Sequence, residues 1–151
     1  MLWTNRGKFL MLDWVFHAQA MPTNLYVALV TSAVAPTVDI NTLSELTEIA
    51  AGNGYTTGGY QLTPGATDFD VMTEDDTNDL AFVQIKNIVW TAVAGPIPSA
   101  GDGARYAILT DDNGVVASRQ VIAAWDLITS RMCTATFSIT LEDCELRAIE
   151  P

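Results

Sequence analysis

Residues 104–121 read ARYAILTDDNGVVASRQV, which places two β-prone runs on either side of Asn113-Gly114. Asn-Gly between such runs is a strong hairpin signal, because both turn positions tolerate a positive φ. The stretch therefore predicts two antiparallel strands, at residues 104–110 and 115–121. Residues 122–128 either extend the second strand or form a bend.

A second β signal lies in residues 133–141, where apolar side chains alternate strictly with Thr or Ser. Alternation with period two is typical of a strand with one buried face. We expect the core-facing set to be Cys133, Ala135, Phe137, Ile139 and Leu141.

Short β-like runs separated by turn residues continue through the chain after residue 21. Residues 25–31 are apolar on both faces, which predicts a strand that is central or covered by the helix. Further strands are expected at residues 80–85 and 87–93. A helical turn near Thr42 has Glu45 in the position of a capping-box partner.

One helix is predicted near the N-terminus, over residues 4–20, with Thr4 or Asn5 as its cap and Met21-Pro22 as its stop. Its spacing gives two apolar faces. Two explanations stay open: the helix packs over the open end of a sheet, or its second apolar face docks on a neighbouring subunit. The first face holds Phe9, Leu12 and Phe16, and the second holds Leu10 and Trp14.

These patterns predict a mainly β protein, either an antiparallel β-sandwich or a jelly-roll-like barrel with one N-terminal helix. The 151 residues fit a single domain. Within it, residues 1–21 form a helical arm and residues 22–151 form the β-sandwich. No period of about 20–50 residues repeats, so a solenoid or propeller is not predicted.

Composition limits the kinds of partner. The formal net charge is −11, from 18 acids and seven Lys or Arg residues that are scattered along the chain. Binding to nucleic acid requires clustered Lys and Arg side chains, and an anionic membrane surface also attracts these positive charges. We therefore expect neither as a partner. Apolar residues are 49% of the chain and charged residues 17%, which suggests that a partner covers part of the surface.

The sequence offers no catalytic constellation. His17 is the only histidine, it lies in the apolar helix, and no Gly-x-Ser-x-Gly motif occurs. Cys133 and Cys144 lack metal-motif spacing, and we expect free thiols. The prediction is a protein that is not an enzyme and needs no cofactor.

Two polar segments could be mistaken for ligand sites. Residues 68–79 hold six carboxylates but depart from the calcium-loop pattern, so we expect a solvated acidic loop or one that meets a basic partner. Residues 52–59 are glycine-rich but lack the ending of a phosphate-binding loop. Tyr55 lies within this loop and Tyr60 directly follows it, as contact residues or as core anchors.

The order of these features resembles a known group of proteins. The helix ends in Leu12-Asp13-Trp14-Val15-Phe16, and Leu25-Tyr26-Val27-Ala28-Leu29-Val30-Thr31 and Gly52-Asn53-Gly54-Tyr55 follow. Later come Val89-Trp90 and Tyr106-Ala107-Ile108-Leu109-Thr110-Asp111. This layout is similar to small virion proteins of tailed bacteriophages, labelled tail fibre or structural protein.

The resemblance implies a structural component of the virion, made in the host cytoplasm. A capsid decoration, or cement, protein is preferred, because the chain lacks the heptads or stalk repeats of a fibre. Its partners would be the major capsid protein or other virion proteins. The resemblance also implies a homo-oligomer, with trimers as the common geometry.

Two alternatives stay open: a tail fibre or tail adaptor, and a receptor- or glycan-binding module on the same particle. The module would use exposed aromatics in loops, with Tyr55, Tyr60 and Trp125 as candidates. Aromatic and other apolar side chains are also the expected interface anchors. The candidate interface residues are Trp3, Phe9, Leu10, Trp14, Phe16, Tyr55 and Tyr60.

Overall fold

Ten strands and one α-helix make up the computed structural model, which describes residues 1–149. The helix α1 spans Asn5–Phe16. The strands are β1 Leu2–Trp3, β2 Leu25–Val30, β3 Tyr60–Leu62, β4 Val71–Asp75, β5 Leu80–Ile85, β6 Ile88–Thr91, β7 Ala104–Thr110, β8 Val121–Arg131, β9 Ser138–Leu141 and β10 Cys144–Ile149.

The strands form three antiparallel sheets. A five-stranded sheet has the order β1-β8-β7-β2-β3, a three-stranded sheet the order β10-β5-β4, and a two-stranded sheet joins β6 to β9. The predicted mainly β fold with one N-terminal helix is confirmed, and the arrangement is consistent with a β-sandwich.

The main core lies between the five-stranded sheet and the two smaller sheets. It includes Val27 and Leu29 from β2, which pack with Ile85, Ile88 and Trp90 from the smaller sheets. The opposite face of the five-stranded sheet is covered by a segment that contains Ile40, Leu43 and Leu46. Strand β2 is therefore buried on both faces, as its sequence predicts, but its cover is this segment and not the helix.

A short 3₁₀ turn, Leu43–Glu45, lies within the covering segment. The Glu45 carboxylate accepts hydrogen bonds from the backbone N–H groups of Asn41, at 2.9 Å, and Thr42, at 2.8 Å. These bonds lower the pKa of Glu45, with the bond from Thr42 as the larger cause. The predicted capping box is confirmed.

The predicted hairpin is correct in its strand pairing and wrong in its turn. Strands β7 and β8 pair antiparallel, but β8 begins at Val121, and neither Asn113 nor Gly114 has a positive φ. Asp111 explains the difference, because its carboxylate accepts from the N–H groups of Asn113, at 3.3 Å, and Gln120, at 2.8 Å. The connection is a ten-residue loop that contains a 3₁₀ turn, Val116–Ser118.

The alternating segment is a strand only in its second half. Ile139 and Leu141 are buried in β9, as predicted, but Phe137 is 66% exposed. Thr136 has a φ of 76°, and the N–H of Phe137 donates to the carbonyl of Thr134 at 3.0 Å. A turn therefore interrupts the alternation before β9, and the core-facing prediction is wrong for Ala135 and Phe137.

Two further boundaries differ from expectation. The helix ends at Phe16 because Ala18 takes a φ of 53°, several residues before the predicted stop at Met21-Pro22. The acidic segment 68–79 is not a loop throughout, since Val71–Asp75 form β4 and pair with β5. Strand β1 was not predicted at all.

Candidate docking surface

Helix α1 is held by its first turn against β8. The Thr4 hydroxyl donates to the Val121 carbonyl at 2.6 Å and accepts from the Gly7 N–H at 2.8 Å, as the predicted N-cap. A Cβ on Gly7 would lie 2.1 Å from the Ile122 carbonyl oxygen. Only glycine therefore allows the helix to approach the strand this closely.

The two apolar faces of α1 have different surroundings. Leu10 is 5% exposed in the main core, and Trp14 packs against that core. The other face, which we call the outer face, consists of four exposed side chains. They are Phe9 at 50%, Leu12 at 58%, Val15 at 67% and Phe16 at 75% exposure.

Single exposed apolar residues are ordinary on a soluble protein, but a contiguous group indicates an interaction site. The outer face contains four such residues within two turns of one helix. The Arg6 guanidinium lies over the Phe9 ring, 4.9 Å from its centroid. The outer face is therefore the best candidate for protein contact on this helix.

An apolar cavity of about 370 Å³ opens beside the same helix, between the five-stranded and three-stranded sheets. Trp3 and Trp14 form one wall, and their half-buried rings pack against the main core. Met11, Met21 and Met72 lie around it at 41%, 60% and 86% exposure. The cavity has almost no polar atoms on its surface.

The β4–β5 hairpin gives this side of the molecule a negative charge. Residues 71–85 contain four carboxylates and no Lys or Arg. Asp75 accepts from the Asn78 side chain at 2.8 Å, and this bond is the main cause of its lowered pKa. The hairpin is thus anionic at neutral pH.

Asp68 is an exception among the acids of segment 68–79, because it is buried and paired. Its carboxylate lies 2.5 Å from the Lys86 ammonium and accepts from the Thr63 N–H at 2.7 Å. The bond with Lys86 is the first cause of its lowered pKa. Asp68 therefore anchors the start of the hairpin and is not part of a solvated acidic surface.

The candidate aromatic side chains in the loops and strands are buried or half-buried, so they do not form an exposed binding surface. Tyr55 is 2% exposed and Trp125 is 7% exposed, so neither offers a ring face to a partner. Tyr60 is half-buried, with its ring edge-on to Trp90 at 6.3 Å between centroids. Of the predicted interface residues, Leu10 and Tyr55 belong to the core, whereas Phe9 and Phe16 are exposed.

The remaining reactive groups do not converge. The His17 ring lies 3.0 Å from Asp13 on the exposed end of the helix. Cys133 and Cys144 are free thiols. Within residues 1–149, no three His, Cys, Asp or Glu side chains are grouped so that they could hold a metal ion.

No family model, curated protein or solved structure matches the chain. Its surfaces are therefore the basis for any functional assignment. Across the described part of the chain, no helix has the length and apolar character needed to cross a bilayer. The sequence indicated the outer face through helical spacing, but the cavity depends on how two sheets diverge, which no local pattern reveals.

Proposed function

We propose that the chain is a structural subunit of a tailed-bacteriophage particle, a capsid decoration protein that binds the head shell through the outer face of α1. The exposure of Phe9, Leu12, Val15 and Phe16 on one helix face is the observation that carries this proposal. Apolar and aromatic side chains at the centre of a contact supply most of its binding energy.

The fold and charge support the same function. The outer face belongs to a helix fixed to the sheet by Thr4 and Gly7, so it is presented on a rigid base. Rigid presentation lowers the entropy lost on binding. The net charge of −11 favours a partner with a basic surface. The sequence resemblance to small virion proteins is the reason for proposing a tailed-bacteriophage particle.

Localisation tests the proposal directly. Particles from the genome that encodes the chain, imaged by electron microscopy with and without the gene, should differ by density on the shell. On heating, shells without the protein should break at a lower temperature than shells that carry it. Density on the tail would instead assign the protein to a fibre or adaptor, and unchanged shells would contradict a cement function.

A pair of matched variants tests the surface. Phe16→Ser removes an outer-face side chain that is 75% exposed, and Phe137→Ser removes a phenylalanine that is 66% exposed elsewhere. We expect Phe16→Ser to weaken re-binding to depleted particles about tenfold or more, as loss of an interface anchor does. Phe137→Ser should bind like the wild type. Equal binding by both variants would remove the outer face from the interface.

Self-association belongs to the same proposal. A decoration protein that works as a homo-oligomer should show a mass of two or three chains by light scattering, either free or after release from the shell. A purely monomeric protein in both states would contradict this part of the proposal and leave shell binding unaffected.

A further inference from the structure

The apolar cavity exists because small residues line one end of the three-stranded sheet. Register places Met72 opposite Val83 and Val83 opposite Leu146, and these three share the inward face. One row further toward the hairpin tip, the same face carries Glu74, Ala81 and Ala148, and of these the two alanines line the cavity. The alanines leave unfilled the space that larger residues fill elsewhere.

The cavity walls expose almost no polar atoms to a ligand. The Trp3 indole N–H donates to the Arg147 carbonyl at 2.7 Å, so its ring presents only carbon to the cavity. Water at such a surface finds no hydrogen-bond partner, so apolar groups displace it favourably. The occupant must therefore place hydrocarbon in the cavity.

Three exposed methionines, Met11, Met21 and Met72, can adapt to the shape of an inserted group, because the thioether side chain is flexible and polarizable. The nearby hairpin excludes some occupants. Glu74, Asp76 and Asp79 are exposed beside the opening, with no base in residues 71–85. These carboxylates repel fatty-acid carboxylates and anionic lipid headgroups. They also disfavour a second copy of this acidic chain as the occupant of the cavity.

We propose that this cavity is a socket for a large apolar side chain, such as Leu, Phe or Met, on a shell-protein segment that carries Lys or Arg beside it. The inference rests on the proposed function and adds a second contact to the outer face. The apolar side chain fills the space above Ala81 and Ala148, and the Lys or Arg side chains beside it on the shell-protein segment pair with the hairpin carboxylates.

Filling the socket tests the inference. Ala81→Phe places a ring in the cavity, and Thr73→Phe places the same ring on the outward face of the neighbouring strand, as the control. Ala148→Leu is the second filling variant, in case Ala81→Phe is poorly folded. Circular dichroism and thermal melting establish that each variant keeps the fold, and re-binding to particles depleted of the protein is then measured.

We expect both filling variants to bind depleted particles about thirtyfold or more weakly than wild type, as when an anchor is lost, and the control to bind normally. Replacing Glu74, Asp76 and Asp79 by Gln, Asn and Asn should also weaken binding and reduce its dependence on salt. Normal binding by folded Ala81→Phe and Ala148→Leu would overturn the socket and leave the decoration function intact. Failure of wild type to bind would overturn both.

A neutral dye, N-phenyl-1-naphthylamine, separates the socket from a small-molecule site. If the cavity is a socket, the dye should bind free wild-type protein but not particle-bound wild-type protein, because a shell side chain then occupies the cavity. Dye that binds equally well to free and particle-bound protein would overturn the proposal.

Discussion

The phenolic hydroxyl of Tyr55 donates to the Glu48 carboxylate at 2.6 Å and accepts from the Leu29 N–H at 3.0 Å. The same Glu48 oxygen accepts from the Gly58 N–H at 2.6 Å. One buried hydroxyl thereby joins the glycine-rich loop to the central strand β2. Burial is the main cause of the raised pKa of Tyr55, and the charge of Glu48 adds to it.

Tyr55→Phe should destabilise the fold by about 1–3 kcal/mol, because the Leu29 N–H loses its partner in a buried site. Tyr26→Phe is the matched control, since its hydroxyl makes one exposed contact, to Gln61 at 3.3 Å. The control should stay within about 0.5 kcal/mol of wild type. Urea denaturation measures both, and equal stability of the two variants would show that the buried hydroxyl adds nothing.

Gly7→Ala should lower stability even though alanine is the better helix former by about 1 kcal/mol. The added Cβ would lie 2.1 Å from the Ile122 carbonyl oxygen, so the helix must move away from β8. We expect a net loss of about 1–3 kcal/mol in urea denaturation, the usual cost of overpacking. Lys8→Ala, at an exposed position of the same helix, is the control. A more stable Gly7→Ala protein would contradict the close packing.

Asp68 should make part of the stability depend on acid pH. Its pKa is lowered in the folded protein, first by Lys86 and then by the Thr63 N–H. A lowered pKa gives stability that is present above the unfolded pKa and lost as pH falls through the folded value. Asp68→Asn should therefore be less stable than wild type at pH 7, with the gap closing as pH falls below about 4. A gap that stays constant with pH would contradict the pairing.

The two thiols should react in a fixed order. Burial raises the pKa of Cys144 to about 12, so almost no thiolate exists there at pH 8. Cys133 is only half-buried. In the folded protein, Ellman's reagent should label Cys133 first and reach Cys144 only after denaturant is added. Folded Cys133→Ser should be nearly unreactive, and rapid labelling of it would show that Cys144 is accessible.

Ile128→Gly should stabilise the protein. Ile128 has a φ of 68°, a conformation costly for a β-branched residue, and its side chain is 79% exposed, so little burial is lost. After allowance for the entropy of glycine in the unfolded chain, we expect a gain of about 0.5–1 kcal/mol. Thermal melting measures it. A lower melting temperature than wild type would show that contacts of this side chain outweigh the strain.

Much of the fold was predictable where local chemistry decides it. Thr4 caps α1, Glu45 closes a capping box, and the doubly apolar residues 25–31 give a covered strand. Each of these depends on residues within a few positions of one another. Helical spacing also placed Phe9 and Phe16 on a different face from Leu10, but it did not show which of the two faces is exposed.

Some of the errors arise where distant residues override the local pattern. Arg119 donates to the Gly58 carbonyl at 2.9 Å, and its guanidinium lies 3.6 Å from the Tyr26 ring centroid. These contacts hold the chain after Asn113-Gly114 away from a hairpin register. The cavity and strand β1 escaped prediction for the same reason, because both depend on β10 and β8 meeting the first residues of the chain.

Strand β1 pairs with β8, and Trp3 donates to Arg147, a partner 144 positions later in sequence. Contacts of such long range form late and slow folding, because most of the chain must be in place first. During synthesis, α1 therefore leaves the ribosome long before its docking strand exists. For that interval Leu10 and the Trp14 indole lack their native cover, and a growing chain would be most prone to aggregate until β8 has been made.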